Sequence, residues 1–135
     1  MNDRFVFRGK RKDNGEWLEG WYGAINEGDT PTIEDRNNYA EFFVDLSTVG
    51  QCTGLRDMVG NLIFEGDVVK ATPINDIGND DDWKDVRREV IFTDGAFCLR
   101  RRIGEIHDTA EMRFFTNIEV VGNIHSSPDL LEVKE

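Results

Sequence analysis

The sequence predicts a mainly β protein: an N-terminal β-hairpin region packed on a small C-terminal β-barrel, with a short C-terminal helix. Three observations point there. Asn14-Gly15 and Asp94-Gly95, dipeptides of the kind that close tight hairpins, each lie between extended runs. "AEFFVDL", "LIFEGDVVKA" and "TNIEVVGNI" read as extended runs. Gly66-Asp67 stands before Val68-Val69, as at the strand entry of many small barrels. With 135 residues and 15.5 kDa the chain has room for one domain or two small subdomains. We place the hairpin region at residues 1–54 and the barrel at residues 55–135.

The first hairpin is "FVFRGKRKDNGEWLEGWYG". A type I′ turn needs positive φ at both central residues, which Asn-Gly supplies. A two-residue loop there sets Lys12 opposite Trp17, Lys10 opposite Glu19, Arg8 opposite Trp21 and Phe7 opposite Tyr22. Cations, indoles and acids then share one face, and Phe5, Phe7 and Tyr22 the other. The run "RGKRK" has two readings, a phosphate-binding patch or a solvated face paired with its own acids and indoles. The cross-strand pairing favours the second. "INEGDTPTIEDRNN" reads as a polar loop, "AEFFVDL" as a strand, and Gly60-Asn61 as a turn before the extended run "LIFEGDVVKA".

Residues 75–85, "NDIGNDDDWKD", read as an acidic surface loop. Asp80, Asp81 and Asp82 crowd Trp83, which is either an exposed anchor for a basic partner or an indole folded back among solubilising charges. Calcium is the alternative use of the aspartates, but the spacing misses the EF-hand pattern and lacks its closing glutamate.

"REVIFTDGAFCLRR" is the clearest element. A turn at Asp94-Gly95 pairs Thr93 with Ala96, Phe92 with Phe97, Ile91 with Cys98, Val90 with Leu99 and Glu89 with Arg100. Val90, Phe92, Phe97 and Leu99 then face the core, with Cys98 on the other side. Arg88 falls opposite Arg101, which is unfavourable unless an acid such as Asp85 lies near. Arg100, Arg101 and Arg102 are candidates for a basic stripe on nucleic acid, with Trp17 and Trp21 as stacking platforms. The competing reading is a strand end neutralised by acids. "RIGEIHDTAEMRFF" is either a short helix or an irregular link, "TNIEVVGNI" a last strand, and "SSPDLLEVKE" a short helix capped by Ser127.

The formal net charge is −11 and the pI about 4.6. That charge repels phosphate backbones at long range and favours a basic partner. No apolar run approaches a membrane span, and the start "MNDRFVFRGKRK" lacks a signal-peptide core, so a cytoplasmic location is expected. Cys52 and Cys98 fit reduced thiols there, and with His107 and His125 they make no zinc spacing. No Ser/His/Asp set, P-loop or HExxH occurs. The expectation is therefore no enzyme, no cofactor and no metal.

"TVGQCTG" raises the possibility of a cysteine nucleophile on a tight turn. Gly50 and Gly54 instead suit a turn joining the two halves, with Thr48 and Thr53 bonding to nearby backbone. The order and spacing of "FRGKRKDNGEWLEGWY", "TVGQCTGLRDMVGNLIFEGDVVK", "IFTDGAFCL" and "IEVVGNIHSSPDLL" resemble the YopX family of phage and prophage proteins. The middle block carries most of this: Gly50, Gln51, Thr53, Gly54, then Asp57, Gly60 and the Glu65-Gly66-Asp67 triplet. The resemblance implies expression in a bacterial host and a β-rich fold whose later part is SH3-like. It gives no established activity, and it places an aromatic residue where this chain has Cys52. The motif residues are accordingly expected to be structural, with position 52 used for packing.

These readings converge on an accessory protein that works by binding a host or phage protein. Nucleic-acid binding is the alternative. Exposed sheet edges add the expectation of a homo-oligomer.

Overall fold

The computed structural model describes residues 5–25, 30–74, 87–103 and 106–126. The chain divides into two compact units, Met1–Leu55 and Arg56–Glu135. Along the first run β1 (Phe7–Lys10), β2 (Trp17–Ile25), β3 (Thr30–Asp35) and β4 (Glu41–Phe43), then a 3-10 turn, Leu46–Thr48. β5 (Gly50–Arg56) carries the chain into the second unit. There follow β6 (Leu62–Phe64), β7 (Asp67–Pro73), β8 (Arg87–Thr93), β9 (Ala96–Ile103), β10 (Ile106–Glu111), a 3-10 turn Met112–Phe114, and β11 (Phe115–Asn123). The hydrogen-bonded orders are β4-β3-β2-β1-β5-β6 and β10-β9-β8-β7-β11. The mainly β expectation therefore holds, as two antiparallel sheets.

The Asp94-Gly95 hairpin forms in the expected register, from Thr93 opposite Ala96 to Glu89 opposite Arg100. Its two turn residues have φ of 51° and 80°, the pair of positive values a type I′ turn requires. Val90 and Leu99 are buried in the second unit's core with Ile63, Val69, Ala71 and Met112. Phe92 corrects the expectation. It lies on the same face and meets Phe97 edge-on at 5.0 Å, but beside the turn it has run past the core and is 52% exposed.

The Asn14-Gly15 hairpin forms two residues out of the expected register. Lys10 faces Trp17, Arg8 faces Glu19 and Phe7 faces Gly20. The loop holds four residues, not two. Arg11 N donates to Glu16 O, Gly15 N donates to Arg11 O, and only Gly15 has positive φ (74°). Asn14 spends its side chain instead, its Oδ1 accepting from Glu16 N at 2.9 Å. A slip of two preserves which face each side chain takes. Phe7 and Tyr22 still meet, with centroids 5.4 Å apart, opposite the cations.

Three further expectations are corrected. The polar stretch read as a loop contains β3, paired with β2 from Gly20–Asp35 to Ile25–Thr30. Its composition hides the strand, yet Thr32 and Ile33 are both buried, as befits a strand flanked on each side. "TVGQCTG" is mostly strand β5 and not a turn: Gly50 pairs with Arg8 and Gln51 with Phe7. Gly54 alone takes a positive φ, 83°. The ambiguous segment after β9 is β10, which supplies the fifth strand of the second sheet. That sheet runs from β10 to β11 without closing, so the barrel is not formed among the described residues. β11 does return beside β7, with register shifts after Thr116 and Val120. The expected C-terminal helix lies outside the described residues.

The first unit's core is Leu18, Ile33 and Val44, with Phe7, Phe42 and Val49 against it. Gly9 lies over this core, where an added Cβ would come within 3.1 Å of Ile33 and 3.2 Å of Val49. The ends of β1 and β4 are tied by a bridge between Arg11 and Val44, by Lys12 N donating to Phe43 O, and by Asp45 N donating to Lys10 O. Thr48 secures the same corner: its Oγ1 accepts from Lys10 N and donates to Asp45 O.

Candidate functional site

Strand alternation gives the first unit's sheet two unlike faces. Phe7, Leu18, Ile33 and Phe42 turn to the core. The opposite face carries Arg8, Lys10, Trp17, Glu19, Trp21, Glu34 and Glu41, set in rows by the register. Arg8 and Lys10 bracket the Trp17 ring at 4.9 and 5.3 Å, so the sheet's own cations occupy that indole. Trp21 is stacked on Tyr39, with centroids 6.3 Å apart and planes 10° from parallel. The two candidate tryptophans thus share a face but differ in partner. Next to Trp21 stands Glu34, and opposite Glu34 on the following strand stands Glu41, a like-charged cross-strand pair. A cleft of about 280 Å³ runs beside it, lined by Lys12, Asp13, Glu41, Phe42 and Phe43.

Tyr39 and the Glu34–Glu41 pair were missed in the sequence. Tyr39 is 69% exposed, and its φ is 63°. It ends the four-residue loop between β3 and β4, where Tyr39 N donates to Asp35 O and Asp35 N to Ala40 O, while Asn38 Oδ1 accepts from Ala40 N. This is the hydrogen-bond pattern of the β1–β2 loop, with Tyr39 where that loop has Gly15. The signal was present: "RNNY" and "KDNG" both place Asn third and the left-handed residue fourth.

The family-type motif residues go to structure-building positions. Thr53 is buried, and its Oγ1 accepts from Leu55 N at 3.1 Å. Asp57, 6% exposed, accepts from Val59 N and Asn61 N through Oδ1 and from Val120 N through Oδ2. Burial pushes its pKa up, but those backbone donors outweigh burial and hold it below the ordinary 3.8. Glu65-Gly66 turns the chain from β6 into β7, with Gly66 at φ 88° and Gly66 N donating to Val90 O. Asp67 is buried, and its Oδ2 accepts from Phe64 N across the turn at 2.8 Å.

The arginine run is divided by the strand. Arg100 and Arg101 point to opposite faces. Arg100 forms a 2.6 Å ion pair with Glu89, and Arg101 stands in register with Asp108 of β10. Arg102 is in register with His107. Arg88, 2% exposed, donates from Nη1 to Ala71 O and lies 5.0 Å over the Phe115 ring. Burial, helped by Arg101, pulls its pKa down to about 10. Arg100 and Arg101 are thus split between the faces of their own sheet, while Trp17 and Trp21 belong to the other unit.

Both cysteines are buried. Cys52 is fully enclosed, with its backbone N–H on Val6 O. Burial, with Glu111 and Asp94 nearby, pushes the Cys98 thiol up, away from the thiolate a nucleophile needs. Trp83, Asp80, Asp81 and Asp82 lie outside the described residues. Among the described residues no helix is long and apolar enough to cross a membrane, and no three His, Cys, Asp or Glu side chains converge as metal ligands.

No curated protein matches the chain. The YopX protein family model matches residues 6–132, the span that holds both sheets and the Asp57 and Asp67 turns, and the chain belongs to that family.

Proposed function

We propose that the protein is a non-catalytic protein-interaction module, a phage or prophage accessory factor acting inside the bacterial host. The observation that carries this reading is the placement of exposed aromatic surface. In a chain of net charge −11, the outward face of the first unit presents Tyr39 stacked on Trp21, with Phe43 51% exposed beside an open cleft. Such side chains supply contact area at low entropic cost and are enriched where proteins bind proteins. The carboxylates of Asp57 and Asp67 and the thiol of Cys98, which chemistry would require to be accessible, are used inside turns and strands. An SH3-like relationship of the second unit, implied by the family resemblance, fits a binding role.

Nucleic-acid binding is the weaker reading. The cations that would serve it are drawn into pairs: Arg100 with Glu89, Arg11 with Asp13 at 2.6 Å, and Arg36 with Glu19 at 3.6 Å. Affinity capture from infected host lysate, with and without nuclease, tests the two. Recovery of one host or phage protein that survives nuclease supports the proposal. Recovery that depends on nucleic acid overturns it.

A further inference from the structure

We propose that the Trp21–Tyr39 stack and the Glu34–Glu41 pair form the contact surface of this module, and that its occupant is an arginine- or lysine-bearing segment of a partner protein. The inference rests on the binding reading above and adds the place and the chemistry.

Two features of this patch run against folded-state stability, and they are independent of each other. Tyr39 occupies a left-handed backbone position that disfavours any residue with a Cβ and a bulky one most. The equivalent position of the sister loop shows that glycine closes the same hydrogen bonds without that cost. Glu34 and Glu41 stand directly opposite one another on β3 and β4, where like charges repel. A bulky side chain held in a disfavoured backbone position and yet left exposed points to a use outside the fold.

The chemistry of the patch selects the occupant. On the same face Trp17 already takes Arg8 and Lys10 against its ring, so these aromatics accept cations in this setting. Tyr39 offers an exposed ring, and the two glutamates beside its stacking partner supply the charge that a guanidinium or ammonium would neutralise. A bound cation relieves the Glu34–Glu41 repulsion, so binding and local stability are linked. Net charge adds steering of basic partners at low salt. A base-stacking role would set phosphates against those carboxylates.

The test is fluorescence anisotropy of the full chain with three labelled probes: a fifteen-residue Arg/Gly peptide, a Glu/Gly peptide of equal length, and a fifteen-nucleotide thymidine DNA strand. The expected result is binding of the Arg/Gly peptide alone, weakened at least about tenfold by Tyr39→Gly and by Glu34→Gln with Glu41→Gln. Tyr39→Gly should melt close to the parent temperature and the double glutamine variant at or above it, which separates lost contact from lost fold. Peptide binding that Tyr39→Gly leaves unchanged reports only the net charge and overturns the assignment of this face, while the module reading stands. Binding of the DNA strand that Tyr39→Gly removes makes the face a base-stacking surface and overturns both. Failure of the parent to bind the Arg/Gly peptide at low salt overturns the basic occupant, whatever the lysate capture returns.

Discussion

The loop from Lys12 to Gly15 and the loop from Arg36 to Tyr39 are the same device built from different residues. Each spans four residues, each is closed by a hydrogen bond from the fourth residue's N–H to the residue before the loop, and each has an Asn side chain accepting from the first residue after it. They differ in what fills the left-handed position. The first uses Gly15, exposed and without a neighbour within 4 Å of an added Cβ. The second uses Tyr39 and offsets part of the strain by stacking it on Trp21. Identical backbone demand with unlike solutions separates what the fold requires from what it merely tolerates.

The largest expected effect lies where the second loop meets β2. Gly20 is in register with Asp35, and Arg36 N donates to Glu19 O beside it. An added Cβ at Gly20 would stand 1.7 Å from Glu34 O and 2.7 Å from Glu34 C, against rigid backbone. Gly20→Ala should therefore cost about 3 kcal/mol or more, at the upper end of overpacking effects. Chemical denaturation measures it. A loss under about 1 kcal/mol would show that β3 can move away from β2, and that the second loop is not held as described.

A third loop, Asp57 to Asn61, extends the comparison because an ionised carboxylate pins it in place of an amide. The Asp57 pKa is lowered in the folded state, so its contribution is full above the ordinary 3.8 and is lost as pH falls through the lower folded value. Asp57→Asn should cost about 2–3 kcal/mol near neutral pH, since Val120 N–H then faces an amide group or loses its acceptor. As pH falls through the lowered folded value the parent should approach the variant. Asn14→Ala and Asn38→Ala should each cost about 1 kcal/mol with no such pH dependence. Melting curves from pH 2 to 7 distinguish the two kinds of pin.

These loops also show how far the sequence could be read. Asp94-Gly95 was legible to the last pair, because both its residues accept the positive φ that a type I′ turn requires. Asn14-Gly15 misled by two residues because Asn14 had a competing use, the hydrogen bond to Glu16 N. β3 was illegible. Its Pro, Thr, Glu and Asp suggest a loop, and only β2 on one side and β4 on the other make it a strand. For the candidate surface, Trp17 and Trp21 stood out by type, but Tyr39 joins Trp21 across 18 residues of chain. That proximity exists only once β2, β3 and their loop are assembled. The arginine run shows the reverse failure: Arg100 and Arg101, adjacent in sequence, are divided between faces by the strand's period of two.

Exchanging the two left-handed residues tests the comparison directly. Gly15→Tyr puts a bulky side chain at φ 74°, where nothing lies within 4 Å of an added Cβ, and should cost about 1–2 kcal/mol. A smaller change would mean that this loop tolerates a Cβ freely, and that Tyr39 is under no strain either.

The smallest effect is the most informative. Tyr39→Gly removes left-handed strain of about 1–2 kcal/mol. It also gives up a stacking contact of about 0.5–1.5 kcal/mol and adds glycine's unfolded-state entropy, about 0.5–1 kcal/mol. These nearly cancel, so stability should stay within about 1 kcal/mol of the parent. Tyr39→Ala gives up the same stack but keeps the strained backbone, and should be less stable than Tyr39→Gly by about 1 kcal/mol. Urea titrations of the three proteins, compared at equal slope, resolve that order. If alanine matches glycine, the position carries no strain, and the argument that Tyr39 is kept for a partner loses its first support. If glycine is the more stable of the two, the fold itself would do as well with the residue its sister loop already uses.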